Sequence, residues 1–90
     1  MSVFIEEGKE IRKLAKQLVI SFMKSESDCR PTGSGIKQAQ IFKRCGFDWG
    51  DYEKTTSSHQ QYWIVGLLKE LETEGVVDQV KVSGPWRLKQ

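Results

Sequence analysis

Over residues 57–74 the chain reads SSHQQYWIVGLLKELETE, and Ile64, Leu67, Leu68 and Leu71 recur at spacings of three and four. That spacing predicts a helix with one apolar stripe. The hydroxyls of Thr56, Ser57 and Ser58 suit its start, where amides lack carbonyl partners. Gly75 suits its end, because glycine takes the left-handed conformation at little cost. Opposite the stripe lie Ser58, His59, Tyr62, Gly66, Lys69 and Thr73, a face of hydrogen-bonding groups with a glycine for close approach. It reads as a recognition face, although a plain solvent face has the same composition.

The other elements follow from the same periodicities. Ser2 to Lys24 predicts a first helix with Phe4, Ile11, Leu14, Ala15, Leu18 and Phe22 turned inward and Ile20 on the surface. Glu6 and Glu7 then lie at the positive end of its dipole and Lys24 at the negative end. Ser25 to Gly35, rich in serine and glycine, is a loop long enough to hold a short edge strand. Ile36 to Cys45 predicts a second helix, with Ser34 as N-cap and Ile41, Phe42 and Cys45 inward. Lys37, Gln40, Lys43 and Arg44 face outward, and Gly46 ends the helix. Phe47, Trp49 and Tyr52 stud the following connector and are expected to fold back onto the core. After Gly75 the period changes to two, and Ser83-Gly84-Pro85 makes a turn between two short strands. The hairpin's inner face is expected to be Val80, Val82, Trp86 and Leu88, and its outer face Lys81, Arg87 and Lys89. One α+β, mostly helical domain over residues 1–90 results, three helices followed by a C-terminal β-hairpin.

Composition narrows the function. With 90 residues and 38% hydrophobic content the chain can build one modest core. No apolar run approaches the ~20 residues that span a bilayer, and the start MSVFIEEGKE lacks the basic-then-apolar order of a signal peptide. A cytoplasmic protein without membrane contact is therefore expected. Cys29, Cys45 and His59 are too few for a structural zinc site, so no metal is expected, and both thiols are read as reduced, with Cys45 in the core. No base stands ready for a nucleophile, and Gly33-Ser34-Gly35 lacks the strand-to-helix setting of a phosphate loop. Neither an enzyme, a cofactor nor a small-molecule substrate is expected. The net charge is only +2, but it is unevenly spread. Arg30, Lys37, Lys43 and Arg44 stand without an acid over residues 29–47, residues 48–75 sum to −4, and the last fifteen return to +2. Two basic segments bracket an acidic one.

The order helix, loop, helix, connector, helix, hairpin resembles the winged-helix variant of the helix-turn-helix proteins over nearly the whole chain. Gly35 to Phe42, Tyr62 to Leu71, Gly75-Val76-Val77 and Trp86-Arg87-Leu88 carry the resemblance. The resemblance implies a duplex-DNA partner and a role in transcription regulation. Ser58, His59, Gln61, Tyr62 and Lys69 would face the major groove. Lys37, Lys43 and Arg44 would lie near phosphates, with Lys81 and Arg87 reaching the backbone from the wing. The alternative is a protein-interaction module that docks on a partner or forms a homodimer, with Tyr62, Trp63 and Ile20 as contacts.

Overall fold

The computed structural model describes residues 2–47, 58–82 and 84–90, with the backbone alone for residues 58–61. Helix α1 spans Val3–Ser25 and is followed by a single 3₁₀ turn, Ser27–Cys29. Helix α2 is Gln38–Arg44 and α3 is Ser58–Thr73; strands β1, Val77–Gln79, and β2, Trp86–Leu88, close the chain. The α+β, mostly helical layout read from the sequence is thus observed among the described residues.

Local chemistry sets the element ends. Ser2 caps α1, its hydroxyl accepting from the Phe4 amide at 3.2 Å, while Glu6 and Lys24 complement the helix dipole. The ends of α2 and α3 share one device. The Val76 amide donates to the Leu71 carbonyl and that of Gly75 to Glu72. Phe47 donates to Phe42 in the same way, and Gly46 to Lys43. Gly46 and Gly75 both adopt positive φ, 76° and 79°. These are Schellman motifs, in which the residue after the glycine packs back on the helix. Phe47 does so against Phe42, with ring centroids 6.3 Å apart, and Val76 packs against the core.

The second motif corrects the expected hairpin parity. Because Val76 is spent on the helix cap, the inward series begins at Val77, which is buried and pairs with Leu88, while Gln79 pairs with Trp86. Asp78 pairs with Arg87 on the outer face, and Val82, expected inside, is 95% exposed. The loop after α1 also holds more than a turn. Ile36 exchanges two backbone hydrogen bonds with Trp86, both 2.8 Å, and so adds a bridge beside β2. Ile36 therefore belongs to the sheet, α2 begins at Gln38, and Lys37 rather than Ser34 is its N-cap.

The core gathers Ile64, Leu67, Leu68 and Leu71 of α3 with Ile41 and Phe42 of α2 and with Trp86 of β2, all as expected. The contribution of α1 differs from expectation. Ala15, Val19 and Met23 are its buried residues, whereas Phe4, Ile11, Leu14 and Leu18 are exposed. The buried row lies one residue further round the helix, about 100° at 3.6 residues per turn. The same rotation sets Lys16 Nζ 3.0 Å from Glu70 Oε1 and 2.9 Å from Glu74 Oε2. Ile20, expected on the surface, packs partly buried against the core. Of the cysteines, Cys29 is the fully buried one and Cys45 is half-buried; both are free.

Candidate nucleic-acid interface

Because α3 turns Ile64, Leu67, Leu68 and Leu71 inward, its opposite side is left to solvent at Tyr62, Gly66, Lys69 and Thr73. Tyr62 is 74% exposed. Lys69 lies 3.5 Å from Glu72 and holds its ammonium 5.6 Å from the centre of the Trp86 ring, which ties this side of α3 to the hairpin. Ser58 and the two following residues, with Gln61, occupy the first turn of α3; the side chains of Ser58, His59 and Gln61 lie outside the described residues.

The basic candidates divide into two groups. Lys37 at the N-cap of α2, Lys43 in its last turn and Lys81 between the strands are exposed and form no ion pair among the described residues. The two arginines are engaged within the fold. Arg44 pairs with Glu26 and its guanidinium stands 4.9 Å from the centre of the Phe22 ring. Arg87 is half-buried, with Nε 3.5 Å from Asp78 Oδ1 and Nη1 donating to the Gly33 carbonyl at 3.0 Å. Its long contact with Asp78 is an ion pair without a hydrogen bond, since both atoms are buried and otherwise unpartnered. Arg87 therefore fastens the loop after α1 to the hairpin, and its reach toward a ligand is limited.

Sequence reasoning missed two features. One is an aromatic cluster in which Trp63 meets Phe47 at 4.4 Å and the edge of Phe42 at 6.4 Å. The other is a groove of about 380 Å³ between α1 and α3, bordered by Gly8, Ala15, Trp63, Gly66 and Leu67. A glycine inside a helical pattern, as at Gly8 and Gly66, was the signal available for the groove. Trp49 and Tyr52, the other connector aromatics, lie outside the described residues.

Among the described residues the resolved pKa shifts fall on the two thiols and on the pair between α1 and α3. Burial, reinforced by Glu26 and Asp28, pushes the Cys29 thiol up to about 11, so it stays protonated at neutral pH. Burial raises Cys45 as well. The hydrogen bond from Lys16 holds the Glu70 carboxyl below the ordinary range, and Glu74 and Glu70 raise Lys16. These shifts belong to a strut between α1 and α3. Among the described residues no three His, Cys, Asp or Glu side chains gather as a metal site, and no helix is long and apolar enough to cross a membrane.

Compared with protein-family models, curated proteins and solved structures, the chain gives no match.

Proposed function

We propose that the chain is a small duplex-DNA-binding module of the winged-helix kind, of the sort that serves transcription regulators. One observation carries the reading. The side of α3 opposite the core stays uncovered from Tyr62 to Thr73 and is flanked by a hairpin that a third segment, Ile36, extends through its bridge to Trp86. A helix left open beside a wing can enter a major groove. A fold does not by itself fix a function, so the charges must supply the rest. Lys37, Lys43 and Lys81, exposed and without an ion pair among the described residues, are the cations that would meet phosphates; Tyr62, and Lys69 on leaving Glu72, would offer hydrogen-bonding groups to base edges. Arg44 and Arg87, spent on Glu26 and Asp78, play a lesser part.

The test is a titration with random duplex DNA at two salt concentrations. Affinity should fall steeply with salt, because each neutralised phosphate releases counterions. Lys43→Ala and Lys81→Ala should weaken binding about equally for all sequences and each lower the salt slope by roughly one. Tyr62→Phe should change preference among sequences with little effect on that slope. No affinity for duplex DNA at ~50 mM salt, where the electrostatic attraction is strong, sinks the reading. Protein docking, the second reading, is favoured by a separate observation, the apolar side chains that α1 leaves in solvent.

A further inference from the structure

Residues 3–14 of α1 bury no side chain, although this half of the helix is rich in large apolar residues. Phe4 (78% exposed), Ile11 (66%), Leu14 (56%) and Leu18 (44%) follow one another at spacings of seven, three and four. They lie along one side of the helix, continuous from Ile11 through Leu14 and Leu18 to the half-buried Phe22 and separated from Phe4 by one turn that holds Glu7 and Gly8, like the seam of a helix that packs against another helix. Exposed apolar residues scattered singly need no explanation; a contiguous row does.

At one edge of this row lies the groove between α1 and α3, with Ile11 on its rim and Trp63, itself 44% exposed, on its far wall. Glycines on both helices, Gly8 and Gly66, open it, and a Cβ built at either would meet nothing within 4 Å. The groove is too small for a helix and has room for side chains projecting from one. Arg12 and Glu70 supply its charged border.

We infer that this face pairs with a second copy of the chain, the two α1 helices running antiparallel across a two-fold axis. Three observations select this occupant. The face carries both a ridge and an adjoining apolar groove, so a two-fold operation sets the ridge of each copy beside the groove of the other. Charge selects the orientation. The first half of α1 carries Glu6, Glu7 and Glu10 against Lys9, whereas the second carries Arg12, Lys13 and Lys24 with no acid, its Lys16 being already paired with Glu70 and Glu74. An antiparallel partner lays each acidic half beside a basic half and opposes the helix dipoles; a parallel one stacks like charge on like. Area is the third. With on the order of 100 Å² exposed on each large side chain, the ridge and Trp63 offer about 500–600 Å² of apolar surface. That is the upper end for the largest patch on a monomer, and most of the ~800 Å² that each partner contributes to an interface of standard size.

The experiment is sedimentation equilibrium of the 90-residue chain from micromolar to millimolar concentration. The weight-average mass should rise toward twice the chain mass. Leu14→Glu should shift the midpoint at least tenfold toward higher concentration and leave the helical circular-dichroism signal unchanged, because Leu14 has no place in the core. Ile11→Glu repeats the test should the first variant lose its fold. Orientation is read by energy transfer in mixed samples labelled at Ser2→Cys or Ser25→Cys, in a chain whose half-buried Cys45 is replaced by serine and whose Cys29 is shielded in the core. Transfer between position 2 of one copy and position 25 of the other should exceed transfer between like positions, and the reverse order overturns the antiparallel pairing. A chain that stays monomeric at every concentration, or a dimer indifferent to both glutamates, overturns the inference. So does a monomer whose α1 face binds lipid vesicles instead.

Discussion

Helices α1 and α3 lie side by side and use their apolar residues in opposite ways. On α3, Ile64, Leu67, Leu68 and Leu71 are all within the core, and the residues across from them are polar or small. On α1 the buried residues Ala15, Val19 and Met23 occupy only the second half, while the larger Phe4, Ile11, Leu14 and Leu18 face water. Amphipathicity thus does different work in each. In α3 it reports the core, and in α1 it reports two surfaces, one facing the fold and one facing outward. A strong apolar row on a helix says that something is buried there, and geometry decides whether that something is the same molecule.

The contrast can be broken by substitution. Leu68→Ala should cost about 2–5 kcal/mol, a large share of a small domain's stability. Leu14→Ala, identical in chemistry, should change monomer stability by no more than about 0.5 kcal/mol. Thermal melts at low protein concentration check both, and equal losses would mean that α1 packs by its larger row after all. A smaller effect contrasts two glycines of the α3 region. Gly75→Ala forces a side chain into the left-handed region at φ 79° and should lose about 1–2 kcal/mol. Gly66→Ala sits within the helix facing open space and should gain up to about 1 kcal/mol.

Two further measurements sharpen the contrast at lower energy. With Trp49 and Trp63 replaced, Trp86 emission should be blue-shifted and resist iodide, since that ring is 1% exposed; with Trp49 alone replaced, the 44%-exposed Trp63 should add a quenched component. Equal quenching would place β2 outside the core. The Lys16 strut should leave a small mark on pH dependence. Glu70 is held below its ordinary value of 4.5, so the stability it adds is complete above that pH and is lost as the pH falls through the depressed folded value. Lys16 is raised above 10.5, so its share is complete below that pH and disappears as the pH rises through the raised value. Glu70→Gln should flatten the acid limb of a Tm-against-pH curve, and an unchanged limb would show the pair to be idle.

What the sequence made legible follows from the same difference. Helix α3, the inward residues of α2, both glycine stops and the burial of Trp86 were readable, because each rests on a single apolar pattern with polar neighbours. The inward face of α1 was not. Apolar residues surround much of that helix, and the choice among them is made by packing of Ala15, Val19 and Met23 against elements distant in sequence, α3 and β2. Hairpin parity was hidden by Val76, whose local pattern does not reveal that the cap of α3 claims it. Of the candidate site, the exposure of Tyr62 and Lys69 was legible from helical phase. The engagement of Arg44 by Glu26 and of Arg87 by Asp78 and the Gly33 carbonyl was not, since those partners come from other elements.

The link between the loop after α1 and the last strand has a consequence for how the chain reaches its fold. Trp86 accepts from the Cys29 thiol at 3.9 Å across 57 residues, and Arg87 reaches Gly33 across 54. Helices can form early, from neighbours in sequence, but these closures wait for distant segments to meet, and such contacts are the slow ones. Trp86 and Leu88 are also core residues. A chain that has emerged only as far as Gly75 lacks three members of that core, Val77, Trp86 and Leu88. Residues 76–90 act as the latch, because they bring those three side chains to the interior.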